Sequence, residues 1–447
     1  MGVLFWIEEA INTHGDHLFR GRRRLQEFPL GGQRECQSVP ESPGAKGYSR
    51  GYAAGIGKGI DMTRPLNIGI VGYGFMGRVH SNAYLRVNQF FDVPFQPVLK
   101  AVAGRTRDKV EDFVRRWGWQ GAETDWRALI DSKDIDLIDI ASPNDTHHEI
   151  ALAGAAAGKM ILCEKPLAMN LAQAREMTLA VEKSGKPNMV WFNYRRVPAI
   201  GLAKQIIQEG RLGKVFHYRA TYLQDWTISS KVPVGGTGTW RLDKDVAGAG
   251  VSGDLSTHNI DTAIWLNGLI TRVSGMTEIF VKSRQRPDGR TARVEIDDAC
   301  TFLARFANGS NGTFEATRYA RGRKNKNSFE INGEKGSIYF DLEDMHQLQY
   351  FSHEDASHLQ GWRTILVTAA EHPYMANWWV PGAVIGYEHT FVNALADFLK
   401  GLEKGERVRP DFRDALETQA IAEAVLDSAR TDKWVRPEIG MGQEFGA

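Results

Sequence analysis

Lys165 stands at the end of an apolar run and just before a proline, as Glu164-Lys165-Pro166 in A-A-G-K-M-I-L-C-E-K-P-L-A-M-N. The run reads as a buried strand, so Lys165 projects from the carboxyl edge of a sheet, where open α/β sheets bind their ligands. An ammonium there can hydrogen-bond a reacting alcohol oxygen and stabilise negative charge as hydride leaves. Pro166 stops the strand and fixes the backbone, and Glu164 is placed to brace the lysine. Further along, Asp254, His258 and Asp261 fall at i, i+4 and i+7, one face of a helix. His258 suits proton transfer near neutrality, with a carboxylate one turn away to orient it and stabilise its charged form. Each group has a plainer reading too: a solvated strand end for the tetrapeptide, an N-cap for Asp254, a packed helix residue for His258.

From residue 66 onward apolar strands alternate with amphipathic helices, the signature of a doubly wound parallel sheet. Gly72, Gly74 and Gly77 form G-x-G-x-x-G where the first strand meets the first helix. The first glycine permits the turn, the second lets backbone approach a pyrophosphate, and the third lets helix pack on strand, with phosphate at the helix N-terminus. The acidic residue expected at the end of the second strand to hold a ribose hydroxyl is missing. Arg105 takes its place in A-V-A-G-R-T-R-D-K, and with Thr106 and Lys109 it suits a 2′-phosphate, which leans the reading toward NADP; stacking on adenine would suit NAD equally.

Taken together, Gly72-Tyr73-Gly74-Phe75-Met76-Gly77 with His80, Pro143-Asn144 with His147, Glu164-Lys165-Pro166, and Gly253-Asp254 with His258 and Asp261 resemble the Gfo/Idh/MocA family in order and spacing. The resemblance spans residues 66–436, including closing helices typical of the family. It implies a catalytic set of Lys165, Asp254 and His258, with His258 as acid/base. It also implies a cofactor site of Gly72, Gly74, Phe75, Met76, Gly77, Arg105, Pro143, Asn144, His147, Glu164 and Lys165 for NAD or NADP, with Pro143 and Asn144 beside the nicotinamide. Within the family, V-W-F-N-Y-R-R-V-P and T-Y-L-Q-D-W are similar to a branch that oxidises a pyranose hydroxyl to a ketone.

The second half is rich in strand patterns separated by turns, A-N-G-S-N-G being a strong hairpin signal. The expected fold is α/β followed by α+β: a Rossmann dinucleotide-binding domain over 63–187 and, over 188–447, a substrate-binding and oligomerisation domain with a large, mainly antiparallel open-faced sheet. One face of that sheet is free for subunit contact, so a homodimer or homotetramer is expected. Sugar sites combine aromatic faces with polar groups that reach hydroxyls. Tyr194, Arg195, Tyr222, Gln224, Asp225, Trp226, Trp240 and Arg241 supply that mixture, with Tyr387 and His389 as further candidates.

The chain has 447 residues, 42% hydrophobic and 24% charged, enough for two well-buried cores. Lys plus Arg number 55 against 54 for Asp plus Glu, so no global field exists to draw nucleic acid. The three cysteines are far apart with no zinc spacing, no metal site is expected, and a reducing cytoplasm fits. No apolar run nears the roughly 18 to 20 residues of a membrane helix. Residues 1–62 are rich in Gly, Arg, Ser and Pro without periodicity and are expected to be a disordered extension. The expected activity is dehydrogenation of a sugar or cyclic polyol. A redox-assisted glycosidase or epimerase with tightly held NAD is an alternative, as is a non-catalytic dinucleotide or sugar sensor.

Overall fold

A computed structural model describes residues 63–236 and 238–438. The extension expected to be disordered, residues 1–62, lies outside them. The described residues fall in one unit, Thr63–Ala447, which carries two large sheets.

The first sheet is parallel, built from β1 (Arg64–Val71), β2 (Phe95–Ala103), β3 (Gly121–Glu123), β4 (Leu137–Ile140), β5 (Met160–Cys163) and β6 (Asn188–Val190). Its order, 3-2-1-4-5-6, is that of a dinucleotide-binding fold, with the reversal between β1 and β4. The helices α1 (Phe75–Phe90), α2 (Arg107–Trp117), α3 (Arg127–Asp131), α4 (His147–Ala156) and α5 (Leu171–Ser184) make its crossovers. β4 is buried along its whole length, as a strand covered on both faces must be. Because β6 belongs here, the parallel sheet runs past the 187/188 boundary drawn from the sequence.

The second sheet uses β7 (Val215–Leu223), β8 (Ile270–Glu278), and β11 (Ala299–Phe306) through β16 (Arg363–Leu366), in the order 16-15-14-13-7-12-11-8. Between them β12 is Asn311–Thr317, β13 Lys326–Gly333, β14 Gly336–Asp341 and β15 Gln347–Ser352. Every pairing is antiparallel except β7 with β12. A separate hairpin, β9 (Ser283–Gln285) with β10 (Thr291–Arg293), stands outside it. The residues of β11 alternate strictly between buried and exposed, as one covered face requires. Phe302 and Phe314 stack inward at 4.5 Å, while Leu303 and Met276 point out.

Over the inner face lie α6 (Pro198–Gln208), α9 (Ser256–Asn267) and α11 (Phe412–Thr431), with the short helices α7 (Lys244–Ala247) and α8 (Val251–Asp254) leading into α9. The last two helices return to the parallel half: α10 (Tyr387–Lys404) packs Phe391 and Leu395 with Tyr84 of α1, and Phe412 and Leu416 of α11 join the core beside β5. Ile421 and Val425, farther along α11, belong to the core of the antiparallel sheet. No described helix is long and apolar enough to cross a membrane.

Arg195, expected at the substrate, is instead part of this framework. Its guanidinium donates to Asp261 of α9 at 2.6 and 2.8 Å and lies 3.7 Å from Asp414 of α11. All three side chains are almost fully buried, and Arg409 completes the set by donating to Asp414 at 3.0 Å. Burial pushes Asp261 up to about 6 against the opposing pull of Arg195. Two charges out of water hold together only while both are present.

Removal of one partner gives a first test: Arg195→Ala should cost about 3–5 kcal/mol in urea unfolding, while the folded variant keeps the wild-type substrate KM. A second concerns the β1–α1 turn, where a Cβ on Gly77 would meet the Gly72 carbonyl oxygen at 2.3 Å. Gly77→Ala should therefore weaken dinucleotide binding about tenfold or more in a titration of bound cofactor fluorescence.

Candidate active site

Three strand ends of the parallel sheet open toward the second sheet. After β1, Gly72 takes φ +113°, and a Cβ there would collide with Ala141. Gly74 caps α1 without a side chain, and nothing lies within 4 Å of the place its Cβ would occupy. The first-turn N–H groups of α1 thus face an open cradle of the shape that a pyrophosphate requires. Phe75 is half exposed over this turn, 6.1 Å from Tyr387. Arg105 is exposed just past β2, with Asp145 within its field.

After β4 come Pro143 and Asn144, whose Nδ2 donates to the Ala247 carbonyl of α7 at 3.0 Å. His147 is wholly buried. Its Nδ1 faces the Pro166 and Leu167 carbonyls at 3.1 and 3.2 Å and its Nε2 the Ser142 carbonyl at 3.0 Å. Burial lowers its pKa. It therefore ties the β4 end to the segment beyond Pro166 and has no surface left for a cofactor, contrary to the role expected from the sequence.

After β5, Glu164 turns inward: one oxygen faces His80 Nε2 at 3.0 Å and the other accepts the Lys165 backbone N–H at 3.1 Å. Lys165 points across the cleft. Its Nζ donates to the Asp254 carboxylate at 2.8 Å and to the Asp254 carbonyl at 3.1 Å. Asp254 also accepts from Arg318 at the end of β12 and lies 3.7 Å from Arg241. Burial alone would raise this carboxyl's pKa, but Lys165, Arg318 and Arg241 hold it well below the usual carboxylate range. Asp254 is fixed as an anion that anchors the lysine.

The helix expected to run through Asp254, His258 and Asp261 breaks at Leu255. α8 is capped by Asp297, which accepts from Gly250 N at 3.1 Å, Ser252 N at 2.7 Å and Ser252 Oγ at 2.8 Å. Neither carboxylate orients His258: Asp254 is committed to its cations and Asp261 to Arg195. Aromatic rings hold the imidazole instead, Tyr194 at 4.5 Å, Tyr222 at 5.8 Å and Phe192 edge-on at 6.0 Å. Its Nδ1 is buried without a partner, which leaves Nε2 as the nitrogen available to a ligand. Burial first, and then the charge of Lys165, push its pKa well below 6.5, so the ring is neutral at pH 7.

From Tyr194 a chain of hydrogen bonds runs along one wall. Tyr194 and Tyr222 hydroxyls meet at 3.0 Å, Tyr222 donates to Asn325 at 2.9 Å, Gln224 donates to Asn325 at 3.1 Å, and Trp226 donates to Gln224 at 2.8 Å. Arg318 lies over Trp226 at 5.2 Å, and Arg241 over Trp240 at 4.4 Å. Asp225 does not join this wall: it accepts from Gly322 N at 3.0 Å and from Lys324 at 3.0 and 3.1 Å, tying down the loop before β13. His389 caps α10 by accepting from Gly386 N at 3.0 Å. Arg318, Asn325 and Asp297 were not found by sequence reasoning. T-R-Y at the end of one strand and N-K-N at the start of the next look like ordinary strand ends, and only the tertiary pairing marks them.

Comparisons agree with this architecture. Residues 66–192 match the model of an oxidoreductase family with an NAD-binding Rossmann fold, and residues 200–339 match the GFO/IDH/MocA C-terminal domain. Levoglucosan dehydrogenase of Pseudarthrobacter phenanthrenivorans is 39% identical over 385 residues, 83% of this chain and 97% of its own. A solved levoglucosan dehydrogenase in complex with NADH and levoglucosan superposes with a TM-score of 0.81 at 40% identity, covering 84% of this chain and 99% of that one. An oxidoreductase domain protein from Kribbella flavida gives the same TM-score and coverage at 43% identity. The protein belongs to the Gfo/Idh/MocA family of oxidoreductases, with a Rossmann half for a nicotinamide dinucleotide and the family's antiparallel C-terminal half.

Proposed function

We propose that the protein oxidises a ring hydroxyl of a pyranose, sugar derivative or cyclic polyol to a ketone, with Lys165, Asp254 and His258 at the reacting end. The observation that carries this is the Lys165 ammonium held 2.8 Å from the partly buried Asp254 carboxylate beside a neutral His258, at the strand ends that share an edge with the glycine cradle. Levoglucosan dehydrogenase, solved with NADH and levoglucosan, supports the substrate class.

The Gly72–Gly77 turn would hold the pyrophosphate, with Pro143 and Asn144 at the nicotinamide end. When bound, the nicotinamide supplies the acceptor for hydride. NAD has the support of that NADH complex, and Arg105 is the group able to receive a 2′-phosphate or to stack on adenine. The Lys165 ammonium donates to the substrate oxygen and stabilises the negative charge that develops on it. His258 Nε2 takes the hydroxyl proton, which requires the ring's own proton on Nδ1. Tyr222, Gln224, Asn325, Trp226 and Trp240 offer hydroxyl partners and an apolar face for the ring. The outward face of the second sheet, with Phe216, Met276 and Leu303 exposed, is the proposed contact for a homodimer or homotetramer.

Absorbance in the reduced-nicotinamide band should rise when the protein meets NAD or NADP with levoglucosan, glucose, glucosides or inositols. Cleavage of a glucoside without net reduction would replace this reading by a closed redox cycle. Lys165→Ala should lower kcat/KM by roughly 10²- to 10⁴-fold with cofactor affinity retained; retained turnover would remove Lys165 from the mechanism. Because the base must be unprotonated and His258 is pushed well below 6.5, oxidation should not lose rate as pH falls from 8 to 6.5. An acid limb centred at or above 6.5 and absent in His258→Asn would contradict this assignment.

A further inference from the structure

A second group of ionisable side chains lies behind Lys165, sealed from solvent. His80 of α1 is completely buried, with Nδ1 2.9 Å from Asp139 of β4 and Nε2 3.0 Å from Glu164. Asp139 also accepts from the Tyr84 hydroxyl at 2.8 Å and from Trp191 Nε1 at 3.0 Å. Trp191 stacks on the His80 ring at 4.3 Å, and Phe391 of α10 packs beside both rings, 5.5 Å from His80 and 5.6 Å from Trp191. An ionised carboxylate only accepts, so an imidazole with an ionised carboxylate at each nitrogen carries both protons.

We propose that His80 is the positioning residue for Lys165: as an imidazolium bridging Asp139 and Glu164, it fixes the Glu164 carboxylate that receives the Lys165 backbone N–H, and thereby aims the Lys165 side chain at Asp254. The chain of contacts is continuous. His80 Nε2 meets one Glu164 oxygen, the other accepts from Lys165 N at 3.1 Å, and Lys165 Nζ reaches Asp254 at 2.8 Å. Burial alone would strip the proton from His80, but Asp139 and Glu164 outweigh it and raise its pKa to about 9. Burial drives the Tyr84 hydroxyl and the Cys163 thiol up, leaving both neutral, while His147 turns its two nitrogens to backbone carbonyls and not to Asp139 or Glu164. Without His80 two buried carboxylates would face each other with no cation between them, and Glu164 would have no fixed orientation.

This inference rests on the proposed role of Lys165, so one measurement is chosen that does not. In the full-length protein with NADH bound and histidines labelled with ¹⁵N, the resonances missing from His80→Gln should show both ring nitrogens protonated at pH 7.5; a neutral ring would overturn the proposal even if no sugar is ever turned over. The kinetic arm uses whichever sugar the wild type oxidises. His80→Gln, with Glu164→Gln as a second variant should the first not fold, should lower kcat on the order of 10²-fold, with the NADH Kd within about twofold of wild type. The double variant should lose no more than the worse single one, because both break the same link. Wild-type kcat in a folded single variant, or losses that multiply in the double, would show that His80 does not act through Glu164. Failure of every sugar would count against the proposed substrate class and leave the NMR result to decide on His80.

Discussion

One partly buried carboxylate facing three cations organises the cleft. Asp254 can sit there only because Lys165, Arg318 and Arg241 offset the cost of taking its charge out of water, and each cation arrives on a different element. The end of β5, the end of β12 and the helical turn Trp240–Leu242 must therefore meet at α8, and the start of α8 is held by Asp297. The sum of these charges is positive, which suits an oxygen that gains electron density as its proton and hydride depart. The same commitment explains why His258 has no carboxylate partner: the anion that spacing would assign to it is already engaged.

An imidazole without such a partner is a weak base but a neutral one, and its apolar surroundings keep it so. Tyr194, Tyr222 and Phe192 confine its ring by shape, while the charge balance of the site is carried by Asp254 and Lys165. Orientation by packing and stabilisation by charge are thus divided between two sets of residues.

What the sequence revealed follows the range of the interactions involved. The glycine turn, the strand ending at Lys165 and the closing helices depend on residues within one βα unit, and their spacing was legible. The strand patterns and the A-N-G-S-N-G turn likewise marked the antiparallel sheet. The helix through Asp254 and Asp261 was misread because i, i+4 spacing cannot show the break at Leu255, nor that Asp297, more than forty positions away, holds the start of α8. Arg195 and Asp225 have the right chemistry for a sugar and the wrong neighbours: Asp261 and Asp414 claim one, Lys324 and Gly322 the other. Arg318 and Asn325 were missed for the converse reason, since only the pairing of distant strands gives them their partners.

α11 contributes Phe412 and Leu416 to the core beside β5, and Ile421 and Val425 to the core of the antiparallel sheet. A single rigid rod is thus mortised into both halves, and jaw-like rotation about the cleft would have to drag one end of it out of its socket. The rim of the cleft is built differently. There Gly235, Gly236 and Gly238 adopt left-handed backbone beside Trp240 and Arg241, and the buried Arg284 pins the start of the same loop through the carbonyls of Thr227, Ser229 and Val232. The two halves share one rod, and the glycine-rich loop forms the rim.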